Sequence, residues 1–238
     1  MIENSYDKIF VSDTHLSTKA CNYKDLHKFL SNYYAPIMYL VGDIIDIWKL
    51  KTIDTWPKQH TKILYDFTQL LQDNVNLEYI IGNHDEFFDN LIGDFENLSL
   101  KKEEIITINN KKLLVTHGHQ FDYQIRYFKW IGILLSGIAD LLKKIRQSTF
   151  SMSDYLKNNK NKIGKFEKIA LEYVKKRKLD GIICGHTHIP NLFVKNGLIY
   201  ANTGDFVTNS SFITQKDNYL SLMVYEKNKV IEVKKIKI

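Results

Sequence analysis

Cysteine is almost absent from this chain, with Cys21 and Cys184 the only two in 238 residues. Two thiols cannot form a disulfide framework, and Cys184 closes an apolar run, so the expected compartment is the reduced cytoplasm. No apolar run approaches the length of a membrane span. The opening Met1-Ile2-Glu3-Asn4-Ser5 lacks a basic start followed by an apolar stretch, and no signal peptide is expected. Internal repeats and low-complexity segments are missing as well. What remains is 44% hydrophobic, enough to bury one substantial core, and reads as a single domain over 1–238 with one elaboration.

Charge is unevenly placed. Lys and Arg number 33 against 27 Asp and Glu, a net of +6, but twelve of the cations fall between 143 and 178, where the only acids are Asp154, Glu167 and Glu172. The rest of the chain is slightly acidic. A basic surface confined to one segment suits an anionic ligand, a membrane face or nucleic acid; a solvated helical segment is the plainer alternative.

Five short apolar runs each end in residue types that ligate metals. Asp13-Thr14-His15 follows Lys8–Ser12, Gly42-Asp43 follows Ile37–Val41, and Gly82-Asn83-His84-Asp85 follows Leu77–Ile81. His117-Gly118-His119 follows Lys112–Thr116, and Gly185-His186-Thr187-His188 follows Asp180–Cys184. A buried strand closed by Asp, Asn or His, repeated five times, predicts one polar site at the carboxyl edge of a sheet, where open α/β sheets keep their binding crevice. A lone histidine in such a place is usually structural; five such endings in one chain point to a metal site. Carboxylate, amide oxygen and imidazole suit manganese, iron or zinc, while the lack of thiol ligands argues against a structural zinc site.

Between the runs, Leu26, Phe29, Leu30 and Tyr33 keep helical spacing up to Pro36, and Ile63, Leu64, Phe67, Leu70 and Leu71 mark one face of a second helix. The β-α-β-α-β order reads as a parallel, helix-covered sheet. A hairpin turning at Asn109-Asn110 is expected to deliver His117. Residues 123–178 interrupt the pattern. Tyr127 to Leu142 is mostly apolar, and Ile163, Phe166, Ile169, Ala170, Tyr173 and Val174 mark another helix running into Lys175-Lys176-Arg177-Lys178, whose charges also complement a helix end. Strand signals at 191–195, 198–202, 219–225 and 229–236 suggest antiparallel closure.

The blocks Asp13-x-His15, Gly42-Asp43-x-x-Asp46, Gly82-Asn83-His84-Asp85, His117-Gly118-His119 and Gly185-His186-Thr187-His188, in this order, resemble the signature of the calcineurin-like metallophosphoesterases. The resemblance implies an α/β fold, a four-layer α-β-β-α sandwich, with two divalent metal ions at the strand ends. Asp13, His15, Asp43 and His188 would hold one ion; Asp43 would bridge to a second, held also by Asn83, His117 and His186. Such a pair lowers the pKa of bound water toward about 7 and clamps phosphoryl oxygens, making a metal-bound hydroxide the nucleophile. By the same resemblance His84 stabilises or protonates the leaving oxygen, with Asp46 to orient it. Loop hydrogen bonding or capping is the expected role of Asp85. His119 suits a substrate contact or a structural role.

A narrower similarity spans almost the whole chain. His117-Gly118-His119-Gln120-Phe121-Asp122, Arg126-Tyr127-x-x-Trp130, Ser151-x-Ser153-x-Tyr155-Leu156-Lys157, Phe166-Glu167 and Asp180-Gly181-x-x-Cys184-Gly185-His186 resemble the UDP-2,3-diacylglucosamine diphosphatase-like branch, as does Gly204-Asp205-Phe206-Val207. That branch implies cleavage of a nucleotide-sugar lipid at its pyrophosphate to UMP and a diacylated sugar 1-phosphate, in lipid A synthesis. Residues 123–178 would be a helical lid over the acyl chains, with packing on the core or a dimer interface as alternatives. Arg126, His119 and Asp122 are the candidate substrate contacts. The lipid A enzymes proper carry Arg in place of His84 and Asp in place of His119, so His84 follows the general superfamily pattern. Manganese is the expected metal. The expected partner is an anionic nucleotide-lipid, met at the cytoplasmic face of the inner membrane, with no obligate protein partner. Nucleic acid is the less favoured substrate, because the aromatics of the insertion lie in apolar helical faces rather than in an open stacking row. A non-catalytic scaffold would be expected to lose ligands, and all seven are present.

Overall fold

The computed structural model describes residues 5–50, 56–122, 152–226 and 229–238, with side chains described over these ranges except at 152–162 and 226. Arg126 and the apolar stretch from Tyr127 to Leu142 lie outside the described residues.

Two sheets form the centre. The larger runs β13-β12-β11-β1-β2-β3-β5-β4, where β1 is Lys8–Val11, β2 Ile37–Val41, β3 Asn76–Ile80, β4 Gly93–Phe95 and β5 Leu98–Lys101. Its far side is built from β11 (Ser211–Lys216), β12 (Tyr219–Glu226) and β13 (Lys229–Lys237). The smaller sheet runs β6-β7-β8-β10-β9, from β6 (Glu103–Ile108), β7 (Lys111–Thr116), β8 (Gly181–Cys184), β9 (Asn191–Lys195) and β10 (Leu198–Asn202). β1, β2, β3 and β5 are mutually parallel, as are β7, β8 and β10. β6 and β7 form the expected hairpin, with Asn109 and Asn110 both at positive φ (47° and 65°), the pairing that a tight two-residue turn requires.

Strand alternation assigns every core side chain to a layer. In β1, Ile9 and Val11 face an outer cluster while Phe10 faces inward; in β2, Met38 and Leu40 face out while Tyr39 and Val41 face in. The outward set packs on α1 (Tyr23–Asn32), through Leu26, Phe29 and Leu30, and, after the one-turn α2 (Ile47–Leu50), on α3 (His60–Gln72), through Ile63 and Leu70. The inward set meets Leu113, Val115, Ile183, Ile199 and Ala201 of the smaller sheet. On that sheet's other face, Leu114, Ile182, Cys184 and Tyr200 meet Phe166, Ala170, Leu171 and Val174 of α4 (Met152–Lys176). Three apolar interfaces separating helix, sheet, sheet and helix make a four-layer sandwich, and period-two alternation with both faces covered is its sequence cause. The C-terminal half of α4 is thus the fourth layer itself. Among the described residues no helix is long and apolar enough to cross a membrane.

Candidate metal centre

All five ligand-bearing runs end at one rim. In the larger sheet the registers Val11↔Leu40 and Val41↔Ile80 bring the ends of β1, β2 and β3 side by side, and Val115↔Ile183 does the same for β7 and β8. Polar contacts join the two sheets there: His186 N–H donates to Asp13 Oδ2 (2.9 Å), and His117 Nδ1 lies 2.9 Å from the Val41 carbonyl. The chain must turn sharply to aim these side chains. Asp13, His15, Asp43, His186 and His188 all sit at positive φ, between 46° and 68°. A left-handed conformation costs an L-residue about 1–2 kcal/mol, and such strain clusters at functional sites.

Each carboxylate divides its oxygens between structure and site. Asp13 Oδ2 accepts from His186 N–H and the Ser12 hydroxyl, leaving Oδ1 buried without a hydrogen-bond partner. Asp43 Oδ1 accepts from His84 N–H (2.8 Å), leaving Oδ2 at 3.2 Å from His117 Nε2 and 4.0 Å from His15 Nε2. Because a carbonyl can only accept, His117 carries its proton on Nδ1 when neutral, and its Nε2 lone pair then faces Asp43. Two lone pairs opposed in a buried site call for a cation between them. The same demand appears in the protonation balance: burial disfavours both charged forms, yet Asp43, and more weakly Asp13, carries the His117 imidazolium up to about 10, while His117 holds the Asp43 carboxyl below its usual range.

The candidate ligand atoms fall into three groups, Asp13 with His15 and His188, Asp43 with His117 and His186, and His15 with Asp46 and His84, each within 4.8 Å of one another. Asp43 Oδ2, within reach of both His15 and His117, stands between the first two. Asn83 lies in the loop after β3 with its amide oxygen buried and without a hydrogen-bond partner. Orphaned oxygens and nitrogens of this kind, in an oxygen and imidazole donor set, fit divalent ions such as manganese, iron or zinc.

Asp46 does more than the sequence suggested. Its Oδ2 lies 3.0 Å from His84 Nδ1 and 3.3 Å from His15 Nδ1, so one carboxylate faces both the candidate proton donor and a candidate ligand. Burial raises its pKa, but hydrogen bonding to His15 and to Lys49 N–H, with the His84 ring beside it, brings the net shift down. The Trp48 indole packs on the His84 ring, with centroids 4.6 Å apart. Asp85 has the loop role expected of it, accepting from Gly82 N–H, Ile44 N–H and the Tyr79 hydroxyl, and burial with repulsion from Asp43 carries it up to about 6. His119 is exposed at the rim with its ring 5.7 Å from His117, and Asp122 Oδ2 is 3.8 Å from His186 Nε2.

The sequence reading gives no role to Asp205 or His60. Asp205 follows β10 in the pattern of the ligand runs, apolar strand then Gly-Asp, and is fully buried with Oδ2 3.1 Å from His188 Nδ1. His60 Nδ1 accepts from Ser17 N–H (3.1 Å), bracing the loop that carries His15. That contact crosses 43 residues, and no local signal announces it.

The profile of the calcineurin-like phosphoesterase superfamily domain matches residues 8–226. No curated protein matches the sequence. Among solved structures, the chain is similar to YfcE, a phosphoesterase from E. coli, with 15% identity over 97% of this chain and 98% of that one and a TM-score of 0.53. Wild-type Vps29 from Entamoeba histolytica complexed with zinc aligns with 14% identity over 97% and 98% at TM-score 0.51. Vacuolar protein sorting 29 from Cryptosporidium parvum aligns with 14% identity over 97% of each chain, again at 0.51.

Proposed function

The chain belongs to the calcineurin-like phosphoesterase superfamily, and from that premise we propose that it hydrolyses the pyrophosphate bond of a UDP-linked diacylated glucosamine, releasing UMP and a lipid sugar 1-phosphate. Metal-dependent phosphoester hydrolysis is the chemistry of the family; substrate and ligand assignment are our reading. One observation carries the metal-dependent part of this reading: Asp13 Oδ1, Asn83 Oδ1 and His117 Nε2 are buried and partnerless at the rim where Asp43 Oδ2 stands between His15 and His117. Asp13, His15, Asp43 and His188 would hold one ion, and Asp43, Asn83, His117 and His186 the other, with manganese the favoured metal. When bound, two such ions activate water near neutral pH and offset charge on the phosphoryl oxygens.

The chain's own residues then divide the work. Two ligand carboxylates leave a doubly occupied site with positive charge, which draws phosphate to the rim. Asp46 fixes the His84 ring by facing its Nδ1, so that Nε2 is aimed at the leaving oxygen, which the doubly protonated ring stabilises by hydrogen bonding or protonates. Trp48 covers one side of that ring and limits water around it. Arg126, His119 and Asp122 contact the substrate. The substrate class rests on the sequence blocks shared with the diphosphatase-like branch and on the twelve Lys and Arg residues of 143–178, which would supply charge toward an anionic leaflet, each worth about 1 kcal/mol near such a surface. Peripheral contact with the cytoplasmic face of the inner membrane follows from that reading.

The test is UMP release from UDP-2,3-diacylglucosamine with manganese, beside a small phosphodiester reporter and a chelated control. Metal-dependent UMP release supports the proposal. Cleavage of the reporter alone rejects this lipid and moves the search to other diesters, nucleic acid first. Inertness toward both substrates with metal bound contradicts the phosphoesterase reading itself.

A further inference from the structure

The strongest unassigned group is the Asp205 carboxylate. Its Oδ1 accepts three consecutive backbone N–H groups, from Val207 (3.0 Å), Thr208 (2.6 Å) and Asn209 (2.8 Å). Its Oδ2 faces His188 Nδ1 at 3.1 Å and accepts from Asn209 Nδ2 at 3.0 Å. The Asn209 amide cannot turn over freely, because the same Nδ2 also donates to the His188 carbonyl (2.8 Å). The turn is pinned to the site as well, since Phe206 N–H donates to the Asp13 carbonyl (3.1 Å).

We infer that Asp205 is a positioning residue that sets the tautomer of His188. An ionised carboxylate can only accept, so neutral His188 carries its proton on Nδ1, and the Nε2 lone pair points to where Asp13 Oδ1 (3.3 Å) and His15 Nε2 (3.4 Å) converge. Both the ring and its coordinating electron pair are thereby fixed before any ion arrives. This rests on the metal-centre reading above, and its failure is separable from that reading's.

Asp205→Asn separates this role from a merely structural one. At the Oδ1 position only an oxygen can accept three N–H groups, so the amide nitrogen must take the Oδ2 position and donate toward His188 Nδ1. His188 is then driven to the Nε2–H tautomer, which cannot coordinate, while the 206–209 turn keeps its acceptor. We expect zinc titrations to show affinity at one of the two sites weakened by about 10- to 100-fold, with only a small fall in melting temperature, because the new amide nitrogen faces the Asn209 Nδ2 donor while the three backbone N–H groups keep their acceptor. His188→Ala should reproduce the loss, and Asp205→Ala should lose stability in addition. In the zinc-loaded parent, nitrogen-resolved NMR of the imidazoles should show His188 protonated at Nδ1. Parental zinc affinity in Asp205→Asn, or a proton found on Nε2 in the parent, overturns the inference and leaves the metal centre standing. Should Asp205→Asn fail to fold, the parent spectrum decides alone. A parent that binds no zinc, manganese or iron sinks the metal centre and this inference together.

Discussion

Gly42→Ala is a one-carbon perturbation whose effects divide cleanly. Gly42 has φ +81°, so any L-residue there adopts a left-handed backbone, costing about 1–2 kcal/mol. Its added Cβ would also lie 2.5 Å from His117 Cγ and Nδ1 and 2.7 Å from His117 Cβ. Ordinary contact begins near 3.4 Å, so the ring must retreat by about 0.9 Å (3.4 − 2.5). Since His117 is fully buried and bonded to the Val41 carbonyl, that retreat takes Nε2 off its line to Asp43. Gly197→Ala is the internal control, with φ +77° and nothing within 4 Å. Both variants should lose roughly 2–8 °C in melting temperature from backbone strain, at about 2–4 °C per kcal/mol for a chain of this size. Only Gly42→Ala should lose metal, seen by elemental analysis after dialysis, and turnover, by about 100-fold for a shift near 1 Å. Equal metal content and turnover in the two variants would refute the placement of His117 as a ligand.

Three further outcomes follow from the same geometry. His84→Ala should lower turnover by about 10²- to 10⁴-fold with metal content near parental, if, as proposed, His84 acts on the leaving oxygen and holds no ion; metal loss equal to that of Asp43→Ala would contradict this. Asp46→Ala should lower both turnover and metal affinity, the latter by about 10- to 100-fold, since its carboxylate also faces His15 Nδ1; parental affinity would reduce Asp46 to a partner of His84 alone. Burial holds the His60 pKa below its usual 6.5, so the native chain binds fewer protons there than the unfolded chain as pH falls. Its contribution to stability is therefore full above about pH 6.5 and lost below it. His60→Gln should show a shallower fall in melting temperature between about pH 7 and 5 than the parent, and an equal or steeper fall would refute the assignment.

How much of this was legible in the sequence depends on how local each signal is. The five ligand-bearing strands announce themselves because apolar run and ligand residue are contiguous, and α1 and α3 because Phe29 and Ile63 recur on a helical face. β11 escaped, since Ser211-Phe212-Ile213-Thr214-Gln215-Lys216 mixes polar with apolar residues, yet its first five residues are buried between β1 and β12. β4, Gly93-Asp94-Phe95, is too short to show a pattern, and β5, Leu98-Ser99-Leu100-Lys101, is no continuous apolar run. The helical spacing from Ile163 to Val174 was readable, and packing on the core stood as an alternative to a lid; Phe166 and Val174 take that alternative, packing with Leu114, Ile182, Cys184 and Tyr200 of β7, β8 and β10. Asp46's second partner depends on the backbone pairing of Leu16 with Asp46 N–H (2.9 Å), a contact across 30 residues that no spacing encodes. Asp205 is the instructive miss: the strand-then-Asp signal was present at β10, but its carboxylate faces a ligand instead of serving as one.

The most direct test of the account is to strip the purified chain with a chelator, return manganese in steps, and follow bound metal and hydrolysis of a small phosphodiester together. The account predicts no turnover in the stripped chain, uptake of two ions per chain, and recovery of hydrolysis as the second ion binds. Turnover that survives stripping, or hydrolysis complete at one ion per chain, would contradict a two-ion centre built on Asp43.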